Sequence, residues 1–84
     1  RSDVSLLETK EVFQYTLRSG CNRIILIHNH PSGNPKPSHE DQEITRKIEM
    51  MAKHLDIEFI DHIIIGDHCY YSFKSNQIYQ SKED

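Results

Sequence analysis

The sequence has 84 residues, of which 27% are charged and 36% hydrophobic, and its formal net charge at pH 7 is −3. A chain of this length forms one small domain, which buries only about 60–65% of its unfolded surface and has modest stability. Acidic and basic residues are interspersed, so no basic face of the kind that binds phosphate backbones is evident, and direct nucleic-acid binding is not expected.

The apolar runs and the cysteines indicate the cellular compartment in which the protein is expected. The longest apolar runs, residues 24–27 and 63–65, are far shorter than the roughly 20 residues that span a bilayer, and no signal sequence is seen. Cys21 and Cys69 are isolated, without Cys-x-x-Cys spacing, so neither a disulfide framework nor a cysteine zinc site is indicated. We expect a cytoplasmic protein with no membrane segment. The start at Arg1 rather than Met predicts the C-terminal part of a longer chain.

A first helix is predicted to begin between Ser5 and Thr9 and to end at Gly20. Ser5, with Glu8 three residues later, has the form of a capping box, and a glycine supplies the left-handed stop of a helix. The apolar positions at helical spacing, which we expect to pack on one face of a sheet, are Val12, Phe13 and Leu17.

A buried strand is predicted next. The continuous apolar run at residues 24–27 is typical of a central strand covered on both faces, and His28 and His30 follow at its end. Because side chains alternate along a strand, both imidazoles should emerge on the same face, where they can reach one ion. Residues 31–37 hold all three prolines of the chain, with Gly33 and Asn34, and therefore predict a loop.

A second helix is predicted from Ser38 to about His54. With Ser38 as the N-cap, Asp41 falls in the first turn, where its carboxylate can point back toward the loop. Two histidines and one carboxylate are a ligand set of hydrolytic zinc sites, which leave a fourth position to water. Asp41 has a structural alternative, since an acidic residue there also resembles part of a capping box. The amphipathic stripe predicted to form core consists of Ile44, Ile48, Met51 and Leu55.

The remaining chain predicts two further strands. Residues 57–65 follow the second helix, and this βαβ arrangement favours pairing parallel to the first strand. A turn at Gly66 and Asp67 leads to an antiparallel strand at residues 68–73. We therefore expect an α/β fold with a small mixed sheet of three strands flanked by helices, and a tail, residues 75–84, that frays or adds a short edge segment. Asp61 or His62 is a candidate partner for a ligand imidazole.

The histidine segment resembles a known family. His28 and His30 are followed by Pro31, with seven residues between His30 and Ser38 and two between Ser38 and Asp41, and this spacing resembles the JAMM (MPN-type) metallopeptidase signature. The resemblance to the bacterial RadC-like branch, which carries a DNA-repair name, covers about residues 4–73. The further positions that carry it are Gly33, Pro35, Pro37, Asp61, His62 and Gly66.

The resemblance implies a function and a set of roles. It implies a single partial JAMM/MPN domain over residues 1–84 with a cytidine-deaminase-like α/β core, its N-terminal strands missing. Zn²⁺ would be bound by His28, His30 and Asp41 for hydrolysis of an amide or isopeptide bond in a peptide or protein substrate. Ser38 would help stabilise the tetrahedral intermediate. The family's general base is a glutamate on an earlier strand, which we expect this chain to lack, and Glu11 is better explained as a solvated helix charge.

Two other classes of function stay open. Metal-free MPN relatives serve as non-catalytic interaction scaffolds, but they typically lose ligands that this sequence keeps. A DNA-repair factor, as the family name suggests, would be expected to carry a basic stripe. The sequence does not identify a substrate, because specificity in such folds depends on loops, and it leaves open a homodimer formed through an exposed sheet edge.

Overall fold

The computed structural model describes the backbone of residues 4–82 and the side chains of residues 9–82. Two helices and a four-stranded sheet make up this part of the chain, which confirms the α/β class but adds one strand to the three predicted. The predicted tail contributes an edge strand rather than fraying. The elements in chain order are α1 (Val4–Ser19), β1 (Arg23–Asn29), α2 (His39–His54), β2 (Glu58–Ile65), β3 (Cys69–Ser72) and β4 (Gln77–Gln80).

The sheet is mixed, with the strands in the order β1-β2-β3-β4. Backbone bonds join the starts of β1 and β2 (Glu58 N to Asn22 O, 2.8 Å) and also their ends (His30 N to Ile65 O, 3.0 Å), so the two strands run parallel. The other two pairs are antiparallel, with Tyr71 of β3 opposite Ile64 of β2 and opposite Ile78 of β4. The parallel pair encloses α2 in sequence, as the βαβ prediction requires.

Within residues 4–82, the prediction that β1 is a central strand covered on both faces is wrong. β1 lies at one end of the strand order, and burial alternates along it. Ile25 and Ile27 are 48% and 59% exposed, whereas Leu26 and His28 are half-buried. A short, continuously apolar run carries no period, so it cannot distinguish a strand covered on one face from one covered on both.

The chain divides into two compact units, and the first contains residues 4–24 and 39–59. Its helices α1 and α2 pack against each other. Leu17, Met51 and Leu55, which the helical spacing predicts as core, are 56%, 43% and 36% exposed. The buried side chains of this unit are instead Thr9, Phe13, Thr16, Thr45, Ile48, Ala52 and Ile57.

Hydrogen bonds within each helix explain how threonine side chains can be buried in positions where leucine and methionine were predicted to form the core. Thr16 Oγ1 donates to Val12 O at 2.7 Å, and Thr45 Oγ1 donates to Asp41 O at 2.8 Å. Each hydroxyl is thereby satisfied within its own helix, so burying it leaves no unpaired polar group. The buried faces of both helices are rotated relative to the predicted stripes.

The helix ends follow local capping rules. Gly20, with φ of 77°, ends α1 in a Schellman motif, in which Cys21 N donates to Thr16 O and Gly20 N to Leu17 O. Because α1 already includes Val4, the helix begins earlier than the capping box at Ser5 predicts. The side chains of that capping box lie outside the described residues. Neither described helix combines the length and apolar character required to span a membrane.

The second unit contains residues 25–38 and 60–82. It comprises most of the sheet and the proline-rich loop at residues 31–37, where Pro35 is buried. Its buried interior is formed by Ile64, Tyr71, Ser72 and His62, and His62 is only 2% exposed. A histidine therefore occupies the interior of this unit beside apolar side chains.

Candidate metal centre

Two histidines meet where β1 ends. His28 is the penultimate residue of β1 and His30 follows its last residue. Both are half-buried, and their ring centroids lie 5.1 Å apart with an angle of 54° between the ring planes. The period of two along the strand therefore brings both imidazoles to one place.

The loop that follows β1 fixes the ring of His30. His30 Nδ1 lies 2.8 Å from Asn34 O, and because a carbonyl oxygen only accepts, Nδ1 carries the proton. The loop is shaped by its own short-range bonds, from Gly33 N to His30 O, from Asn34 N to Ser32 Oγ and from Lys36 N to Asn34 Oδ1. The turn residues of the loop thus place a carbonyl against the imidazole.

The same loop is docked on the turn between β2 and β3. Asp67 N donates to Gly33 O at 2.7 Å. A Cβ added at Gly66 would lie 2.5 Å from Gly33 O and 2.8 Å from Pro35 Cδ, closer than such atoms can approach. Glycine at position 66 is therefore required by the close approach of the loop backbone.

A third histidine lies behind His28. His28 Nδ1 is 2.9 Å from His62 Nε2, so of the two candidate partners in β2, His62 contacts the predicted ligand. Asp61 instead accepts bonds from His62 N at 2.7 Å, from Lys74 N at 2.9 Å and from Ser72 Oγ at 2.5 Å. Its carboxylate therefore ties β2 to β3 and to the turn after β3.

The start of α2 carries the two remaining predicted residues. Ser38 immediately precedes the helix, at its N-cap position, and Asp41 is half-buried in its first turn. His28, His30 and Asp41 each offer a ligand atom within 4.8 Å of those of the other two. Within residues 9–82 they are the one set of three or more histidine, cysteine or acidic side chains grouped closely enough to hold a metal ion.

Several titratable side chains outside the group of His28, His30 and Asp41 have ordinary surroundings. Glu11 is exposed on α1, in keeping with a solvated helix charge. His39 Nε2 and Glu43 Oε2 are 3.4 Å apart and largely exposed, as an i,i+4 pair on α2. Cys21 and Cys69 are free thiols.

The donor set fits zinc. Both imidazoles have Nδ1 engaged by the protein, so Nε2 is the atom that each would offer to an ion, in the manner of zinc-bound histidines. Two imidazole nitrogens with one carboxylate oxygen form a set that zinc accepts while keeping an open position. The sequence named His62 only as one of two candidate partners for a ligand imidazole. It gave no indication of the Asn34 carbonyl as the partner of His30.

Comparison with known proteins places the chain in a family. The family model described as RadC-like JAB domain matches residues 1–78. A UPF0758 protein of Clostridioides difficile is 49% identical over 74 residues, which is 88% of this chain and 32% of that protein. A UPF0758 protein of Alkaliphilus metalliredigens is 46% identical over 76 residues, 90% of this chain and 33% of that protein. The chain spans about a third of the length of these relatives, and over nearly all of its own length it belongs to the RadC-like JAB domain family, a JAMM/MPN-type domain.

Proposed function

We propose that this domain binds one zinc ion through His28, His30 and Asp41, and that the protein is a zinc-dependent hydrolase of amide or isopeptide bonds in peptide or protein substrates. The observation that carries the proposal is the pair of adjacent imidazoles with Nδ1 of each already engaged. Membership of a JAMM/MPN-type family supports it. So does the grouping of the three ligand atoms.

The residues have distinct roles in this proposal. Zinc held by His28, His30 and Asp41 would supply Lewis-acid chemistry and would make a water molecule reactive near neutral pH. Asp41 supplies the anionic ligand, and the imidazoles of His28 and His30 supply neutral ones. The hydroxyl of Ser38, at the N-cap of α2, donates a hydrogen bond to the oxygen on which charge develops. We assign no residue of this chain to the general base.

Metal content tests the zinc site first. We expect near-stoichiometric zinc by plasma mass spectrometry in tag-free protein, and its loss in His30→Ala and Asp41→Ala. His39→Ala and Glu40→Ala are matched controls, because both residues lie in the same first turn of α2 and are exposed, and they should keep zinc. Protein that takes up no zinc even when zinc is added would contradict the proposal and favour the scaffold function.

Turnover is tested separately, with fluorogenic peptides. The JAMM resemblance implies a glutamate base outside these 84 residues, so the assay uses a form extended to the length of the relatives. Ser38→Ala should retain zinc while kcat falls by about 10²- to 10³-fold, as for loss of one oxyanion donor. The same substitution removes a helix cap worth about 1 kcal/mol, so zinc content and the unfolding transition are checked alongside. Hydrolysis that survives both Asp41→Ala and zinc removal would contradict the metal-dependent mechanism.

A further inference from the structure

We infer that His62 is a positioning residue for the zinc site: its Nε2 accepts the Nδ1–H of His28 and holds that ring with Nε2 directed to the ion. The inference rests on the proposed function, because it gives His62 a role toward the same metal. His62 is not one of the three proposed ligands. It acts through His28.

The contact between the two rings is direct. His28 Nδ1 and His62 Nε2 are 2.9 Å apart, and the ring centroids are 4.9 Å apart with the planes inclined by 47°. One nitrogen must donate and the other accept. A histidine that binds zinc through Nε2 carries its proton on Nδ1, so His28 donates and His62 accepts.

The burial of His62 makes this bond costly to lose. Its side chain is among the largest fully buried ones in the described part of the chain, at 2% exposure. A buried imidazole must have its polar atoms satisfied, since an unpaired polar group in the interior is destabilising. An apolar residue would fill this volume more cheaply, which indicates that the acceptor itself has a use.

Surrounding groups hold the ring of His62 in place. Phe73 stacks on it with ring centroids 4.7 Å apart and planes within 11°, and Tyr71 packs edge-on against Phe73 at 5.0 Å. The backbone of His62 is held by Asp61 Oδ1, 2.7 Å from His62 N, and by Phe73 N, 3.0 Å from His62 O. The acceptor is thus presented to His28 at a fixed position.

His30 offers an internal comparison. Its Nδ1–H is held by a backbone carbonyl, that of Asn34, which no side-chain substitution removes. The Nδ1 of His28 is held by a side chain. Substitution of His62 therefore changes the support of one ligand and leaves the other intact.

The test combines zinc affinity with the tautomer of His28. His62→Phe keeps an aromatic ring against Phe73 but removes the acceptor, so zinc affinity by chelator competition should fall about 10- to 100-fold. His62→Gln restores an acceptor near the position of Nε2 and should recover most of the affinity. His54→Phe, at the exposed end of α2, is the matched control and should bind zinc as the wild type does.

The tautomer gives a readout that a purely structural role would not move. Long-range ¹H–¹⁵N spectra of the metal-free wild type, taken where the imidazoles are neutral, should show the His28 proton on Nδ1, and His62→Phe should shift this preference. A proton on Nε2 of His28, or a folded His62→Phe protein with unchanged zinc affinity, would overturn the inference. Absence of zinc from the wild type would contradict the proposed function instead, and the tautomer would then still show whether His62 accepts the Nδ1–H of His28.

Discussion

At the scale of single residues, Tyr71 links the interior of the second unit to solution pH. It is 8% exposed, and its hydroxyl donates to Asn76 Oδ1. Burial, and secondarily the negative charge of Asp61, raise the pKa of Tyr71 above its ordinary value of 10.0. The unfolded chain therefore ionises first. Ionisation of Tyr71 therefore lowers the free energy of unfolding only as the pH rises above the ordinary pKa of tyrosine and through the raised pKa of the folded protein.

Tyr71→Phe should flatten the alkaline loss of stability. Phenylalanine cannot ionise, so the decrease in the free energy of unfolding with pH should be shallower than in the wild type. The lost hydrogen bond adds a pH-independent offset of about 0.5–1.5 kcal/mol. Urea unfolding at intervals from about pH 8 to 11 measures the slope. Tyr15→Phe, at a side chain that is 72% exposed, is the control, and equal slopes in all three proteins would contradict the argument.

Residue-level prediction from sequence succeeds where the pattern is local. The period of two along β1 suffices to bring His28 and His30 together. The partner of His28 is 34 residues away in sequence, and its contact depends on how β1 and β2 pair. A residue spacing contains no information on strand register, so the sequence could only offer Asp61 and His62 as alternatives.

At the scale of elements, the loop at residues 31–37 and the turn between β2 and β3 behave as one structure. The loop carries the carbonyl that holds His30, and its Gly33 carbonyl accepts from Asp67 N. Gly66 lies against the loop with no room for a side-chain atom. Displacement of the turn should therefore reach the proposed metal site through the loop.

Gly66→Ala tests this coupling. The added methyl group must push the loop away, and overpacking of this kind costs about 1–3 kcal/mol. Zinc affinity should fall together with the free energy of unfolding, because Asn34 moves with the loop. Gly20→Ala is the control: Gly20 has φ of 77° with nothing within 4 Å of an added Cβ, so it should lose roughly 1–2 kcal/mol through backbone strain alone. Zinc affinity reduced equally in both variants would indicate a general effect of instability.

Element boundaries follow from sequence better than buried faces do. Ser38 correctly marks the start of α2, and Gly20 ends α1, because caps depend on residues adjacent in sequence. Which helix face is buried depends on the partner element. Thr45 and Ala52 are buried where Met51 was expected, since small or self-satisfied side chains suit a close helix contact.

At the scale of the whole molecule, isoleucines on one face of the sheet remain partly exposed in the described chain. The His28–His62 contact places those two residues on one face, so the alternating Ile27 and Ile65 lie on the other, where they are 59% and 45% exposed. Tyr70, opposite Ile65 in the register, stacks on Tyr79. Coverage of a sheet face is a property of the assembled molecule, which explains why the apolar run of β1 predicted it wrongly.

Zinc at the proposed site should contribute a large share of the stability of this chain. A chain of 84 residues lies toward the lower end of the usual 5–15 kcal/mol. An ion that binds only the folded state, at 100 times its Kd, adds about 2.7 kcal/mol. We therefore expect the urea midpoint to rise with free zinc and to return to the metal-free value with chelator.

Asp41→Asn should remove this zinc dependence, and Glu40→Gln should keep it. Both substitutions delete an acidic charge from the first turn of α2, where each interacts with the helix dipole by roughly 0.3–1 kcal/mol, so their metal-free stabilities should fall similarly. Only Asp41→Asn removes a proposed ligand, so the free energies of unfolding of the two variants should diverge as zinc is added. Equal stabilisation of both by zinc would mean that the ion binds elsewhere, and would contradict the assignment of Asp41.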